Sequence, residues 1–250
     1  MPGYDDLIED VASAILSSKH TVALTGAGIS VESGIAPFRG KGGLWERYDP
    51  EEYAHIATFM QNPARAWVLF KEMIEVIRRA KPNPAHIALA RLEELGLLSC
   101  IITQNVDNLH QSAGSRNVIE FHGNIINLSC IECGKKQRCS EVSLDEIPPL
   151  CACGGVLRPD AVLFGEAIPF DALVSSRKEA EACDLMLVIG TSGIVQPAAS
   201  MPLVAKDSGA KIVEINPEET PITFIADIFV KGGAGRVLSD VIRRIEDKLR

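Results

Sequence analysis

In the first eighteen residues, apolar side chains fall at Leu7, Ile8, Val11, Ala12, Ile15 and Leu16. That spacing puts one apolar stripe on a helix and predicts a helix over Asp5–Ser18. Thr21–Thr25 (TVALT) is then a short, β-leaning apolar run that ends at Gly26-Ala27-Gly28. Similar runs recur at Ser99–Thr103, Leu185–Ile189 and Lys211–Ile215, with a shorter one at Ile228–Val230. Nearly unbroken apolar runs suit strands covered on both faces, as in a parallel sheet. Helical patterns separate or follow them at Pro84–Leu95, Pro169–Ala182, Ala198–Asp207 and Gly235–Leu249. This alternation predicts an α/β fold: a Rossmann-like parallel sheet with helices on both faces.

Two stretches break the rhythm. Residues 40–83 have helical periodicity and aromatics but no strand, and residues 125–160 carry most of the cysteines and three prolines. The expected division is a Rossmann-like nucleotide-binding body built from 1–39, 84–124 and 161–250, a helical insert with a loop at 40–83, and a cysteine-bearing insert at 125–160. A chain of 250 residues has room for one large core with such inserts.

Composition narrows the function. With 46% apolar and 23% charged residues, the chain reads as an ordered globular protein. A net charge of −8 argues against a general nucleic-acid binder, which carries a basic surplus. It favours a basic partner such as a Lys-rich peptide, and it equally serves solubility. No apolar run reaches the roughly 18 residues of a membrane span. The acidic opening MPGYDDLIED lacks a signal-peptide pattern, so the expected location is cytoplasmic. Disulfides are rare there, and the seven cysteines need another account.

Four of them have one. Cys130-x-x-Cys133 is followed after seventeen residues by Cys151-x-Cys153, two thiolate pairs suited to a tetrahedral structural zinc ion. Gly134 and Gly154 follow the second cysteine of each pair, where a tight turn is needed. The one-residue spacer is tighter than the usual two, and Cys139 is an alternative ligand. Cys100 and Cys183 sit in or beside strands and read as buried small hydrophobes.

The chemistry sits at strand ends, where open α/β sheets build their sites. Gly26-Ala27-Gly28 after the first strand lets the backbone approach a pyrophosphate, although Val31 stands where a full G-x-G-x-x-G has its third glycine. Arg39 beyond it could fork onto phosphate oxygens or be a solvated surface residue. Gln104, Asn105 and Asp107 follow the second strand and could hold ribose hydroxyls or a carboxamide, or cap a helix. His122, between Phe121 and Gly123, suits general-base work, against the alternative of a structural histidine. Gly190-Thr191-Ser192 and Asn216-Pro217-Glu218 end two further strands.

Taken in order, these segments resemble the sirtuin family. The matching pieces are Gly26–Ser30, Ser33-Gly34-Ile35, Phe38-Arg39-Gly40, Thr103–Asp107 with Leu109-His110, His122-Gly123, the cysteine quartet, Arg158-Pro159, Phe164-Gly165-Glu166, Gly190–Ser192 and Asn216-Pro217. The resemblance implies a bare catalytic core that removes acetyl or other neutral acyl groups from protein lysines. It consumes NAD and yields nicotinamide, O-acyl-ADP-ribose and free lysine. It also implies His122 as general base and Asn105 as a positioner of ribose and water. Gly26, Ala27, Gly28, Phe38, Arg39, Gln104 and Asp107 would line the NAD pocket, with Gly190, Thr191, Ser192, Asn216, Pro217, Glu218 and Ala234 on its ADP-ribose side. Val162, Phe164, Gly165 and Glu166 would pair with the substrate peptide as a strand. The chain departs from the family in Ala36-Pro37, where the proline has moved one place, and in Val106 for the usual Ile.

Family members that take acidic acyl groups resemble one another in a Tyr and an Arg three residues apart in the helical insert. Phe70 and Met73 stand at those places here, so no cation is expected to meet a negative acyl chain. Competing readings of the same residues are a mono-ADP-ribosyltransferase, a non-catalytic NAD-sensing module and a hydride-transfer dehydrogenase. The last would require the complete glycine fingerprint.

Overall fold

The computed structural model describes residues 2–40 and 42–250. Helix α1 (Tyr4–Ser17) leads into β1 (Thr21–Thr25). The next four helices are α2 (Pro50–Tyr53), α3 (Ile56–Gln61), α4 (Pro63–Arg79) and α5 (Pro84–Glu94). They are followed by β2 (Cys100–Thr103), α6 (Leu109–Ser112), β3 (Val118–Glu120), β4 (Gly123–Cys130), β5 (Lys136–Arg138) and β6 (Leu157–Ala161). The chain ends with α7 (Phe170–Ala182), β7 (Leu185–Ile189), α8 (Met201–Asp207), β8 (Lys211–Asn216), β9 (Ile228–Lys231) and α9 (Ala234–Leu249).

Six strands form one sheet in the order β3-β2-β1-β7-β8-β9. Every neighbouring pair is parallel. The chain lays strands outward from β1 on one side, then returns at β7 to its other side. The carboxyl ends of β1 and β7 therefore flank the switch point where such sheets bind ligands. Side chains alternate between the two faces. Ala23, Leu185, Leu187 and Ile189 join α1, α5 and α9 in one core cluster. Val22, Leu24, Met186 and Val188 join α7 and α8 in another.

The expected strands and helices are present, with three differences. First, β3 carries no strong apolar run, because it is a three-residue edge strand whose residues are only half-buried. Second, the segment after the glycine turn is a 3-10 helix over Ala27–Ser33. Third, the helical stretch expected from Ala198 opens as a 3-10 turn and becomes α-helical only at Met201. Pro202 sits in the first turn of α8, where a missing N–H costs nothing.

A second, antiparallel sheet, β5-β4-β6, rises from the end of β3. Its strands β4 and β6 run across the expected divisions near 124 and 160. Apolar residues of this sheet (Ile125, Leu128, Leu157) and of the α3–α4 hairpin (Phe59, Trp67, Phe70, Ile74) share a third cluster. Trp67 is fully buried in it, and its indole Nε1–H donates to the Leu157 carbonyl at 2.8 Å. One side chain thus packs and hydrogen-bonds the two inserts together.

Trp67→Ala should lower unfolding stability by about 3–5 kcal/mol, as large aromatic deletions in cores do. Trp67→Phe should cost less than Ala, while still stranding the Leu157 carbonyl. Denaturant melts of the three proteins check this, and equal stability of Trp67→Ala and wild type would refute the junction.

Candidate active site

The glycine turn is built by contact between two strand ends. The Gly28 N–H donates to the Gly190 carbonyl at 2.8 Å, and the Gly26 N–H to Ile189 O at 3.1 Å. A Cβ on Gly28 would lie 2.7 Å from Gly190 O, and one on Gly26 2.8 Å from the Thr191 Cβ. Gly190 itself has φ +60°, and a Cβ there would meet the Ile29 nitrogen at 2.4 Å. The close approach these glycines permit is therefore first of all to one another's loops.

Around that contact lies a buried polar network. Asn105 Nδ2 donates to the Gly26 carbonyl at 3.2 Å and to Ser30 Oγ at 3.1 Å. The Ser30 hydroxyl donates to Asp107 Oδ2 at 2.7 Å, and Asp107 Oδ1 accepts from the Leu109 N–H at 2.9 Å. The helix cap foreseen for this stretch is instead Asn108, while Asp107 accepts only from the first helical N–H, and its carboxylate also lines the cleft. Gln104 Nε2 donates to Thr191 Oγ1 at 2.9 Å, and Asn216 Nδ2 to Thr191 O at 3.0 Å. Ser30 and Thr191 knit the four strand ends together, and Ser30 carried no signal of its own in the sequence beyond its place in the turn.

Behind this network, the rings of His86 and His110 pack at a 60° tilt with centroids 4.9 Å apart. Burial lowers the pKa of His86, opposed by the Asp107 charge. Burial, with His86 beside it, pushes His110 down to about 3. His110 Nε2 lies 3.0 Å from Thr25 Oγ1.

His122 stands at the mouth between the two sheets, edge-on to Phe121. Its Nδ1 lies 3.0 Å from the Gln104 carbonyl. A carbonyl only accepts, so this contact assigns the proton to Nδ1 and leaves the Nε2 lone pair available. Burial lowers the pKa of His122, and the Gln104 hydrogen bond opposes the shift.

A cleft of about 110 Å³ opens beside Asn105 and Asp107. Ala27, Ser30, Ile35 and Phe38 line it from the first strand's side, and Leu44, Met73, Val76 and Ile77 from the helical insert. The loop bearing Phe38 closes on itself through Leu44 N to Pro37 O at 2.9 Å and Trp45 N to Phe38 O at 3.0 Å. The Trp45 ring packs between Phe38 (5.2 Å) and Phe164 (6.1 Å). An apolar lining with a few convergent polar groups suits a heteroaromatic ring on a ribose, the reacting end of NAD. Arg39 is exposed beside the cleft, whereas Pro217 and Glu218 lie exposed past β8. Ala234 begins α9, whose second residue donates its N–H to Glu32 Oε1 at 2.9 Å.

The segment expected to meet a peptide is already partly paired. The Val162 N–H donates to the His122 carbonyl and the Phe164 N–H to Ala54 O, both at 2.9 Å. The Leu163 N–H donates to Glu166 Oε2 at 2.8 Å. Glu166 also takes both arms of the Arg158 guanidinium at 2.7 Å. Gly165 has φ +81°, and a Cβ there would meet His55 Nε2 at 2.6 Å.

Phe70 and Met73 prove to be unlike in setting. Phe70 is buried in the third core cluster, whereas Met73 lines the cleft. Neither place carries a cation, as expected, but one lines the cleft from a different segment. Arg47, from the loop before α2, lines it too, together with Glu72.

The sulfurs of Cys130, Cys133, Cys151 and Cys153 lie within 4.8 Å of one another. The Cys130–Cys153 and Cys133–Cys151 pairs are 3.5 Å and 3.8 Å apart. Tetrahedral zinc with sulfur ligands at about 2.3 Å separates them by about 3.8 Å, so the quartet fits this metal. The backbone N–H of Cys133 helps bring the Cys130 thiol down to about 7. Gly134 and Gly154 take the left-handed turns, and a Cβ on Gly155 would lie 2.7 Å from the Cys130 sulfur. Cys139 stands outside the quartet, buried, with its carbonyl accepting from Arg78 at 2.8 Å. Cys100 and Cys183 are buried, and burial raises their thiols to about 12 and about 11. No helix among the described residues is long and apolar enough to cross a membrane.

The sequence model of the Sir2 family matches residues 26–197. An NAD-dependent protein deacylase of Pyrococcus abyssi is 48% identical over 250 residues, covering 98% of this chain and 100% of that protein. A Sir2 homologue solved in complex with NAD superposes with a TM-score of 0.90 at 48% identity, over 97% of this chain and 95% of that one. A Sir2 protein solved with a p53 peptide and NAD+ gives a TM-score of 0.86 at 39% identity, over 96% and 98%.

Two outcomes are expected from this geometry. Metal analysis of the purified protein should find one zinc per chain, and Cys133→Ser should lose it together with the cooperative melting of the β4–β6 sheet. A metal-free protein that melts like the wild type would contradict the assignment. For His110, the folded value lies below the unfolded 6.5, so the unfolded chain takes up the proton first. Stability present above pH 6.5 is then lost as pH falls towards 3. Denaturant melts at pH 7.5 and 5 should show a smaller loss in His110→Asn than in wild type, and parallel losses would remove His110 from the account.

Proposed function

The chain belongs to the Sir2 family, and we propose how its own residues carry out NAD-dependent removal of acyl groups from protein lysines. The observation that carries the proposal is the tie between His122 Nδ1 and the Gln104 carbonyl, which leaves the other imidazole nitrogen free as a base beside the segment that carries Asn105 and Asp107. NAD, when bound, supplies a ribose carbon made electrophilic by departure of nicotinamide, and carries the acyl group away as O-acyl-ADP-ribose.

Asp107 and Ser30 form the polar end of the cleft, where a carboxamide finds both an acceptor and a hydroxyl. Asn105, held by Gly26 and Ser30, orients the ribose and a water at the cleft wall. Phe38, Ala27 and Ile35 keep bulk water from the reacting face. Gly190–Ser192, Asn216–Glu218 and Ala234 take the adenosine side, and Gln104 spans the two halves through Thr191. Nε2 of His122 accepts the proton of a ribose hydroxyl, which lets that oxygen attack the acyl carbon. The backbone of Val162–Glu166 that remains unpaired meets the peptide as an added strand. The acidic surface suits a Lys-bearing peptide rather than nucleic acid. A thiolate quartet suits a reducing compartment, which supports a cytoplasmic location. The expected units are a Rossmann-like body from 1–39, 84–124 and 161–250, carrying the 40–83 and 125–160 inserts that close over the site.

Incubation with an acetyl-lysine peptide should release free lysine only with NAD, one nicotinamide per acetyl group. His122→Ala should slow this by about 10²–10⁴-fold. Because the neutral imidazole is the active form and its value is lowered, the acid limb of the kcat/KM profile should lie below pH 6.5. ADP-ribose left on protein, with no acyl group released, would favour the transferase reading instead.

A further inference from the structure

The cleft wall contains one ion pair that the reaction scheme does not use. Arg47 and Glu72 both line the cleft, from segments 25 residues apart. The Arg47 guanidinium donates to Glu72, and the Tyr48 hydroxyl donates to the other carboxylate oxygen. The Tyr48 hydrogen bond, followed by Arg47, holds the Glu72 carboxyl below the usual carboxylate range. Leu44, Met73, Val76 and Ile77 make the surrounding wall apolar. The other ionised group lining the cleft is Asp107, which is negative and already engaged by Ser30.

We propose that Glu72 is a specificity-determining residue which, by masking Arg47, excludes acyl groups that end in a carboxylate. The proposal rests on the deacylase reading, because it needs the acyl tail to extend into this cleft from the reacting ribose. An unmasked Arg47 would offer a forked, charge-assisted partner to a terminal carboxylate. With Glu72 in place, the two charges cancel on the wall, and Asp107 leaves the cleft net negative. A carboxylate entering it gives up water and gains no cation in return. A neutral tail loses nothing, since the remaining wall is aliphatic. Selection against an acidic tail therefore comes from an added negative charge, a repulsive element.

The test compares succinyl-lysine with butyryl-lysine peptides, which share a four-carbon chain and differ in the terminal carboxylate. It measures the ratio of their kcat/KM values at saturating NAD for the full chain, Glu72→Gln, Arg47→Gln and the double variant. Glu72→Gln keeps the size of the side chain and removes its charge, and thermal melts verify that each variant is folded. The expected order follows the charge on the wall. Glu72→Gln raises the succinyl-to-butyryl ratio by about tenfold, the scale of one charge-assisted hydrogen bond. Arg47→Gln lowers it, and the double variant returns close to wild type. High salt shrinks the Glu72→Gln gain, because the pair is partly exposed. An unchanged ratio in Glu72→Gln, or a gain that survives Arg47→Gln in the double variant, overturns the proposal while the deacylase reading stands. Absence of NAD-dependent turnover of both acetyl- and butyryl-lysine peptides in wild type sinks that reading, and the proposal with it; acetyl turnover without butyryl turnover overturns the proposal alone.

Discussion

The contact on which the site depends is backbone against backbone. Gly26 and Gly28 at the end of β1 touch Gly190 at the end of β7, with no room for a Cβ on any of the three. This contact fixes where the 3-10 helix over Ala27–Ser33 begins, hence where Ser30 stands. Ser30 in turn sets the carboxylate of Asp107 and the amide of Asn105. Thr191, one residue past Gly190, receives Gln104 and offers its carbonyl to Asn216. Four strand ends are thus referred to one close approach. The sheet order makes that approach possible, because β1 and β7 are the neighbours at which the chain reverses its direction of lateral growth.

Much of this was legible in the chain. Thr21–Thr25 and Leu185–Ile189 are apolar on both faces and bounded by glycine, so their strand character and the site at their ends followed from local pattern alone. The cysteine quartet was legible for a similar reason, since its ligands fall in two short, closely spaced pairs. What pattern missed depends on partners far along the chain. Edge strand β3 is too short and too exposed to show a run. The glycines of the first turn read as a cradle for phosphate, yet the structure uses their bareness to seat Gly190. Arg47 and Glu72 are unremarkable surface residues until α4 folds back beside the loop that carries Arg47. Asp107 was open to two readings, helix-terminus acceptor or ligand group. One oxygen takes the Leu109 N–H and the other takes Ser30 at the cleft wall, an arrangement that depends on the far-off glycine turn.

The buried histidines add a constraint of another kind. His86 and His110 sit under the catalytic turn with their charged forms disfavoured by burial. Two neutral rings at van der Waals contact can fill that space where two cations could not. Protonation of either would place a positive charge beneath Asp107 and compete with the Ser30 hydrogen bond for its carboxylate. Burial thus favours the neutral form of both rings and with it the hydrogen-bonding arrangement seen around Asp107.

The metal module reaches the same turn by a different route. Val106 lies between Asn105 and Asp107, and it packs against the cluster that contains Cys130, Cys139, Cys151, Leu157 and Trp67. Its carbonyl accepts from the Ile125 N–H at 3.1 Å, at the root of β4. The outward side of the catalytic turn therefore rests on apolar groups whose positions the cysteine quartet holds. A tetrathiolate zinc ion takes no part in acyl transfer, having no open coordination position. Its contribution would be to tie the loop after β4 to the loop before β6, at the end of the sheet away from the cleft. With that support, the two polar side chains flanking Val106 face the cleft from a fixed backbone, and the positioning of Asn105 and Asp107 becomes a property of the whole module rather than of one loop.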